Sequence, residues 1–158
     1  PNLALTTDIM VGFPGESEQE FNESYHFCER IDFAGLHVFP YSPRPGTRAA
    51  RMANMVEEGE KKRRIHLMLD LANGSSQRFR ERFLGQRMNV LWEGKKNGIW
   101  SGLTDNYLRV FLLSHELLAN ELLAANLVAQ KEGGLSGELA THVQSPKLRL
   151  HALSATHF

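Results

Sequence analysis

The chain has 158 residues, 42% hydrophobic and 23% charged, with 18 Lys and Arg balancing 18 Asp and Glu. That is the make-up of one or two small globular domains, which excludes collagen-like and disordered classes. No apolar run approaches the roughly 20 residues of a membrane span, and no signal-peptide pattern opens the chain. The single cysteine, Cys28, excludes an internal disulfide framework and any Cys-based metal cluster held by this chain alone.

The zero net charge is unevenly distributed. Residues 1–36 carry seven acids and one base, residues 37–109 fourteen bases and seven acids, and residues 110–158 three bases and four acids. A central basic block is a candidate polyanion-binding region, or else an ordinary solvated face. The chain begins Pro1-Asn2 without Met and meets its first strong motif almost at once, so it reads as a piece of a longer protein.

In chain order, Leu5 to Val11 is a short β-favouring run that stops at Gly12-Phe-Pro-Gly15. Ser17 and Glu20 form a capping box, which starts a helix running to about Arg30, with Phe21, Ser24, Tyr25 and Cys28 at helical spacing. Leu36 to Tyr41 is a second strand, closed by Ser42-Pro-Arg-Pro-Gly46. Strand, helix and strand with short links predict a βαβ unit with parallel strands.

A long helix is predicted from Glu57 to Phe83, with a stripe of Ile65, Met68, Leu69, Ala72, Phe79 and Phe83 and a weak point at Asn73-Gly74-Ser75. It reads as a connector between domains, and Lys61-Lys-Arg-Arg64 as a solvated face of it. After Gly85 the period becomes two. Strands are predicted at 88–92, 99–103, 107–112, 126–130 and 135–139, with a short helix from Ser114 to Ala125. Five short strands in so few residues suggest a small OB-like barrel. Beyond His142 the chain reads as a disordered tail. The fold class is therefore α/β plus all-β.

Three groups carry candidate chemistry. Thr6-Thr-Asp-Ile-Met-Val-Gly-Phe-Pro-Gly-Glu16 brings a Gly/Pro turn to the carboxyl end of a parallel strand, where α/β sheets bind ligands. The helix behind it has an N-terminus whose amides suit an anion, although a purely structural turn fits the same residues. In the barrel, Arg87, Trp92, Lys95, Lys96, Trp100, Tyr107 and Arg109 interleave bases with aromatics. Nucleic-acid surfaces combine those types, with charge for phosphates and rings for bases. The alternative is that a Trp is core and the lysines are a hairpin tip. The seven histidines do not fall at metal-ligand spacing, and Cys28 reads as a plain buried cysteine.

The first stretch, together with Leu36-His-Val-Phe-Pro-Tyr-Ser-Pro-Arg-Pro-Gly-Thr47, resembles the radical S-adenosylmethionine (SAM) methylthiotransferases. The Leu-His-Val-Phe-Pro-Tyr form is most similar to the branch acting on threonylcarbamoyladenosine in tRNA. The branches acting on isopentenyladenosine in tRNA or on a ribosomal-protein aspartate look less similar there. The C-terminal barrel is similar to the TRAM domain of these enzymes. The resemblance covers roughly residues 3–140 and implies four parts. These are the C-terminal part of a radical SAM partial TIM barrel at 1–56, a connecting helix at 57–84, a TRAM RNA-binding barrel at 85–142 and a tail at 143–158.

The implied activity is addition of a methylthio group to carbon 2 of N6-threonylcarbamoyladenosine at position 37 of tRNA. The implied cofactors are SAM and two [4Fe-4S] clusters, with the cluster ligands lying upstream of Pro1 and the piece alone inactive. The implied partners are the tRNA anticodon stem-loop and an electron donor, without a membrane, in the cytoplasm. By position, the resemblance assigns Asp8, Met10, Val11, Gly12, Phe39, Tyr41 and Ser42 to the SAM side, and Arg44 and Thr47 to substrate. Neither catalytic residues nor metal ligands are expected in this chain. The rival from another class is a stand-alone RNA-binding module.

Overall fold

A computed structural model describes residues 2–140. The predicted tail, and the last two residues assigned to the barrel domain, lie outside the described residues. Strand β1 (Thr6–Val11) pairs in parallel with β2 (Gly35–Pro40), in a register that sets Asp8 against His37 and Met10 against Phe39. Helix α1 (Glu18–Ile31) crosses between them. Ser17 caps it as the sequence predicts: its hydroxyl accepts from the Glu20 amide, and the Glu20 carboxylate accepts from the Ser17 amide. Side chains alternate along a strand. Ile9 and Val11 therefore turn toward the helices, and Asp8 and Met10 turn to the open face.

Helix α2 (Glu58–Glu81) has 24 residues, about 36 Å at about 1.5 Å each. It does more than connect. Its Met68, Leu71 and Ala72 pack with Val11, Phe21, Cys28 and Leu36 into one core. Further along, Phe79, and then Phe83 just beyond the helix, enter the core of the barrel, their rings 5.1 Å apart. Leu69, placed on the buried stripe by periodicity, is instead exposed, and Leu71 takes the interior position. The helix runs unbroken through Gly74. Buried Ser75 donates its hydroxyl to the Ala72 carbonyl, and packing on both sides outweighs the glycine's weak propensity.

The C-terminal part is a closed barrel of β3 (Arg87–Lys96), β4 (Ile99–Thr104), β5 (Arg109–Leu113), β6 (Leu122–Lys131) and β7 (Gly134–Leu139), in the order β3-β4-β5-β7-β6. Strand β3 pairs with both β4 and β6, which leaves no open edge. The hairpin tip Asn97-Gly98 has φ of 50° and 81°, the left-handed pair that a tight two-residue turn needs. Gly102 is obligatory for a different reason: a Cβ there would collide with the Leu91 carbonyl and with Val90 Cγ1.

The helix expected from Ser114 to Ala125 is absent. Residues 114–121 form turns, and β6 begins at Leu122 by pairing with Leu91 of β3. Backbone bonds from Asn120 N to the Trp92 carbonyl and from Trp92 N to the Glu121 carbonyl hold this connection to β3. Leu118 is driven into the core while Leu117 stays in solvent. Long-range pairing with β3 thus overrides a locally helix-favouring composition. Among the described residues, no helix is long and apolar enough to cross a membrane.

Trp92, with no exposed surface, is the largest side chain of the barrel core. Trp92→Ala is therefore expected to cost about 3–5 kcal/mol of unfolding free energy. Tyr107→Ala, at an exposed turn, should stay within about 0.5 kcal/mol. Urea denaturation of the two variants checks the difference, and equal midpoints would contradict this assignment of the core.

Candidate functional site

The candidate site lies at the carboxyl ends of β1 and β2. It is built around the turn Gly12–Gly15. Gly12 adopts φ +73°, and a Cβ there would run into the aliphatic stem of Lys61. The Gly12 amide donates to Glu16 Oε2 at 2.7 Å, and the Glu16 carboxylate in turn accepts from Arg64 Nη1 at 2.6 Å. Arg64 Nη1 also donates to the Glu16 carbonyl at 3.0 Å. The turn is thus fastened to α2 through one guanidinium.

Arg64 is 4% exposed and serves three carboxylates. Besides Glu16, it meets Glu60 at 2.7 Å and Glu18 at 3.3 Å. Arg63 beside it reaches Glu18 and Glu60, both at 2.6 Å. Both guanidiniums lie over the buried Phe21 ring, Arg64 at 5.2 Å and Arg63 at 5.8 Å from its centroid. Burial opposes the charge on Arg64, but bonds from Glu16 and Glu60 outweigh it and raise its pKa. Bonds from Arg63 and then Arg64 lower the Glu60 carboxyl to about 2. At the far end of the helix pair, Arg78 bonds Asp32 at 2.7 Å. Starts and ends therefore match, so α1 and α2 run parallel.

This geometry corrects one expectation. Lys61 and Arg64 are buried, not a solvated face, because the Gly12 turn covers the Lys61 stem and the Glu16 carboxylate reaches Arg64. At the N-terminus of α1 the Glu20 amide is taken up by the Ser17 hydroxyl, and the Glu20 carboxylate accepts from the Ser17 amide. Cys28 is fully buried, and burial raises its thiol pKa.

Of the residues assigned to the SAM side, Asp8, Met10 and Phe39 share one open face of the strand pair. Asp8 faces His37 at 3.9 Å, and the side chains of Met10 and Phe39 are left largely uncovered. Ser42 is exposed just beyond. Val11 points the other way, whereas Tyr41 has the parity of His37 and Phe39 and is covered by Phe13 of the turn. Val11 is in the helix-side core, and Tyr41 is buried edge-on to Phe13, its amide donating to the Val11 carbonyl. A side-chain role at the open face does not fit Val11, which strand alternation turns inward.

Arg44 is exposed. Thr47 is a turn-former rather than a projecting contact: its hydroxyl donates to the Arg44 carbonyl at 2.8 Å and accepts from the Ala50 amide. On the barrel, Trp92 and Trp100 are core. Trp100 is 4% exposed and donates its indole N–H to the Glu116 carbonyl, so neither ring is free to stack on a base. Period-two alternation alone could not tell which face of β3 and β4 is interior. Lys95 lies 5.5 Å over the Trp100 ring, and Arg109 pairs with Glu93 at 3.0 Å. Arg87, Lys96 and Tyr107 remain exposed, and Tyr107 is 80% exposed with φ of 62°. Arg87 and Tyr107 line a surface groove of about 700 Å³ with Asn89, Leu91 and Leu122.

A parallel strand pair with a helical crossover, bound through one helix to a closed five-stranded barrel, defines a two-part α/β and β protein. No family model matches the chain. Curated relatives do. The chain is 35% identical over 133 residues to the threonylcarbamoyladenosine tRNA methylthiotransferase MtaB of Bacillus subtilis, covering 81% of the chain and 30% of that protein. It is 38% identical to the MtaB of Thermotoga maritima, covering 77% of the chain and 27% of that protein. It is also 38% identical to the tRNA-2-methylthio-N(6)-dimethylallyladenosine synthase of Endomicrobium trichonymphae, covering 88% of the chain and 33% of that protein. The chain spans about a third of the length of the curated relatives it matches. It belongs to the radical SAM methylthiotransferase family.

The carboxylate set gives a pH dependence with a definite sign. Glu60 is held below its ordinary value of 4.5 in the folded chain, so its bonds contribute stability above about 4.5. That contribution is lost as the pH falls from about 4.5 to about 2. Glu60→Gln should flatten the decline of unfolding free energy across this window. Parallel stability–pH curves for the variant and the original would contradict it.

Proposed function

We propose that the chain is the C-terminal part of a tRNA methylthiotransferase that adds a methylthio group to carbon 2 of N6-threonylcarbamoyladenosine at position 37. The observation that carries this reading is the extent of the similarity. Matches of 124 to 139 residues are too long to lie within the barrel alone, and the relatives are named for methylthio transfer to tRNA. A stand-alone RNA-binding module would not need the strand pair and the Gly12 turn held so firmly to the connecting helix.

In this reading residues 1–56 close one side of a radical SAM barrel, α2 links it to the rest, and residues 85–142 form a TRAM barrel that approaches RNA. Iron–sulfur clusters do not fit this chain, which has one cysteine, fully buried. Their ligands belong to other parts of the parent protein. The open face does fit the adenosine end of SAM. Met10 and Phe39 are register partners with uncovered apolar side chains, and Asp8 beside them presents a carboxylate toward a ribose or ammonium group. SAM, when bound, would supply the radical chemistry and the methyl group.

The chain's own contribution is positioning. The Glu16–Arg64 contact holds the Gly12 turn in one conformation at the mouth of the sheet, and α2 carries that constraint into the barrel core through Phe79 and Phe83. Of the barrel groups, Arg87, Lys96 and Tyr107 are the ones placed to meet RNA, with Tyr107 as the exposed ring.

Disrupting the gene that encodes this chain and analysing the nucleosides of total tRNA by mass spectrometry tests the reading. Loss of the methylthio form of threonylcarbamoyladenosine, with accumulation of its precursor, is the expected result. Loss of the methylthio isopentenyladenosine nucleoside instead would move the protein to the sister branch. An unchanged nucleoside profile would overturn the enzyme reading.

A further inference from the structure

The basic block in the sequence has two very different fates in the fold. On α2, Lys61, Arg63, Arg64 and Arg78 are all engaged by carboxylates, three of those carboxylates standing on the segment before β2. The barrel from residue 85 to 140 carries five basic residues against six acidic ones. Both regions keep some bases outside ion pairs, Lys62 on α2 and Arg87 and Lys96 on the barrel among them, but each region also carries acids. The segment after β2 carries bases alone up to residue 56. From residue 33 through residue 56 there is not one Asp or Glu, while Arg44, Arg48 and Arg51 are all exposed. None of the three forms an ion pair among the described residues.

The segment is also built, not loose. The Thr47 amide and hydroxyl both donate to the Arg44 carbonyl, and the Thr47 hydroxyl caps the Ala50 amide. Arg48 has helical φ and ψ and opens a 3-10 turn, Ala49–Arg51, closed by bonds from Arg51 N to the Arg48 carbonyl and from Met52 N to the Ala49 carbonyl. In a 3-10 turn, residues three apart eclipse, so Arg48 and Arg51 project from the same side. The carbonyl of Asn54 accepts from the Gly15 amide at 2.8 Å, which pins the segment over the Gly12–Gly15 turn. The arginines therefore rim the carboxyl end of the strand pair, next to the open face of Met10 and Phe39, with exposed Met52 and Met55 beside them.

We infer that Arg44, Arg48 and Arg51 form the phosphate-gripping strip of this chain, holding the backbone of an RNA strand whose base is presented to the open face. This rests on the RNA-substrate reading above and relocates its electrostatic grip from the barrel to the loop after β2. Guanidiniums match phosphate oxygens with paired donors, and a fixed cluster of like charge is relieved only by an anionic partner. An acidic protein would match the charge as well. The flat apolar surface beside the strip, which suits a nucleobase, favours RNA.

The test uses the full 158-residue chain and an unmodified anticodon stem-loop RNA, with affinity measured by fluorescence anisotropy over a range of salt concentrations. The triple substitution Arg44→Gln, Arg48→Gln, Arg51→Gln keeps Thr47 and the turn, and circular dichroism verifies the fold. Removing three phosphate contacts should make the slope of log affinity against log salt shallower by about 2. The double substitution Arg87→Gln, Lys96→Gln on the barrel should change it less. If the barrel variant loses the slope and the folded loop variant keeps it, the strip proposal is wrong while the RNA reading stands. If polyglutamate competes as well as the RNA, the strip is a general anion surface and the proposal also fails. If the original chain shows no salt-dependent RNA binding, the RNA reading itself fails with it.

Discussion

A guanidinium buried to 4% exposure is the constraint on which this structure turns. Arg64 cannot shed its charge, so burying it requires carboxylates within bonding distance, and the fold supplies Glu16, Glu18 and Glu60. Two of these come from the turn and helix that follow β1, 46 and 48 residues away. Satisfying one side chain therefore fixes the start of α1 against the start of α2 and holds the Gly12 amide through Glu16. Arg78 and Asp32 repeat the arrangement at the other end. The pairing at both ends sets the two helices parallel and presses Phe21, Cys28, Met68 and Leu71 into a common core.

The uneven charge of the chain is therefore mostly an internal matter. The acidic first segment and the basic helix are the two halves of one interface, and they neutralise each other on folding. The short segment after β2 stands apart as a run of bases with no acid of its own. The mechanical consequence is equally direct. Because α2 also delivers Phe79 and Phe83 to the barrel, the turn at the sheet mouth and the barrel core share one rigid element.

Local features are readable from the sequence. Ser17 and Glu20 announce the helix start three residues apart, Asn97-Gly98 announces a hairpin, and period-two runs mark all five barrel strands to within a few residues. The Gly/Pro turn after β1 follows from its own residues as well. What cannot be read depends on partners far along the chain. Lys61 to Arg64 look like a solvated run because the Gly12 turn and the carboxylates Glu16 and Glu18 that cover them lie more than 40 residues earlier. Trp92 and Trp100 look like stacking rings because alternation does not say which side of a strand becomes interior. Residues 114–121 look helical because their capture by β3, through the Trp92 backbone, has no local signature. The exposed face with Met10 and Phe39 is legible only in part: strand alternation separates Met10 from Val11 once the helix side is known, but not Phe39 from Tyr41, which the Phe13 ring of the turn covers.

The central claim is that Arg64 fastens the Gly12 turn to α2, and hydrogen exchange of the intact chain carrying Arg64→Met measures this most directly. Peptides spanning residues 9–20 should exchange faster than in the original chain, while barrel peptides around Val90 and Leu127 keep their protection. Unchanged exchange across the Gly12 turn would contradict the account, as would a uniform loss of protection reaching the barrel strands.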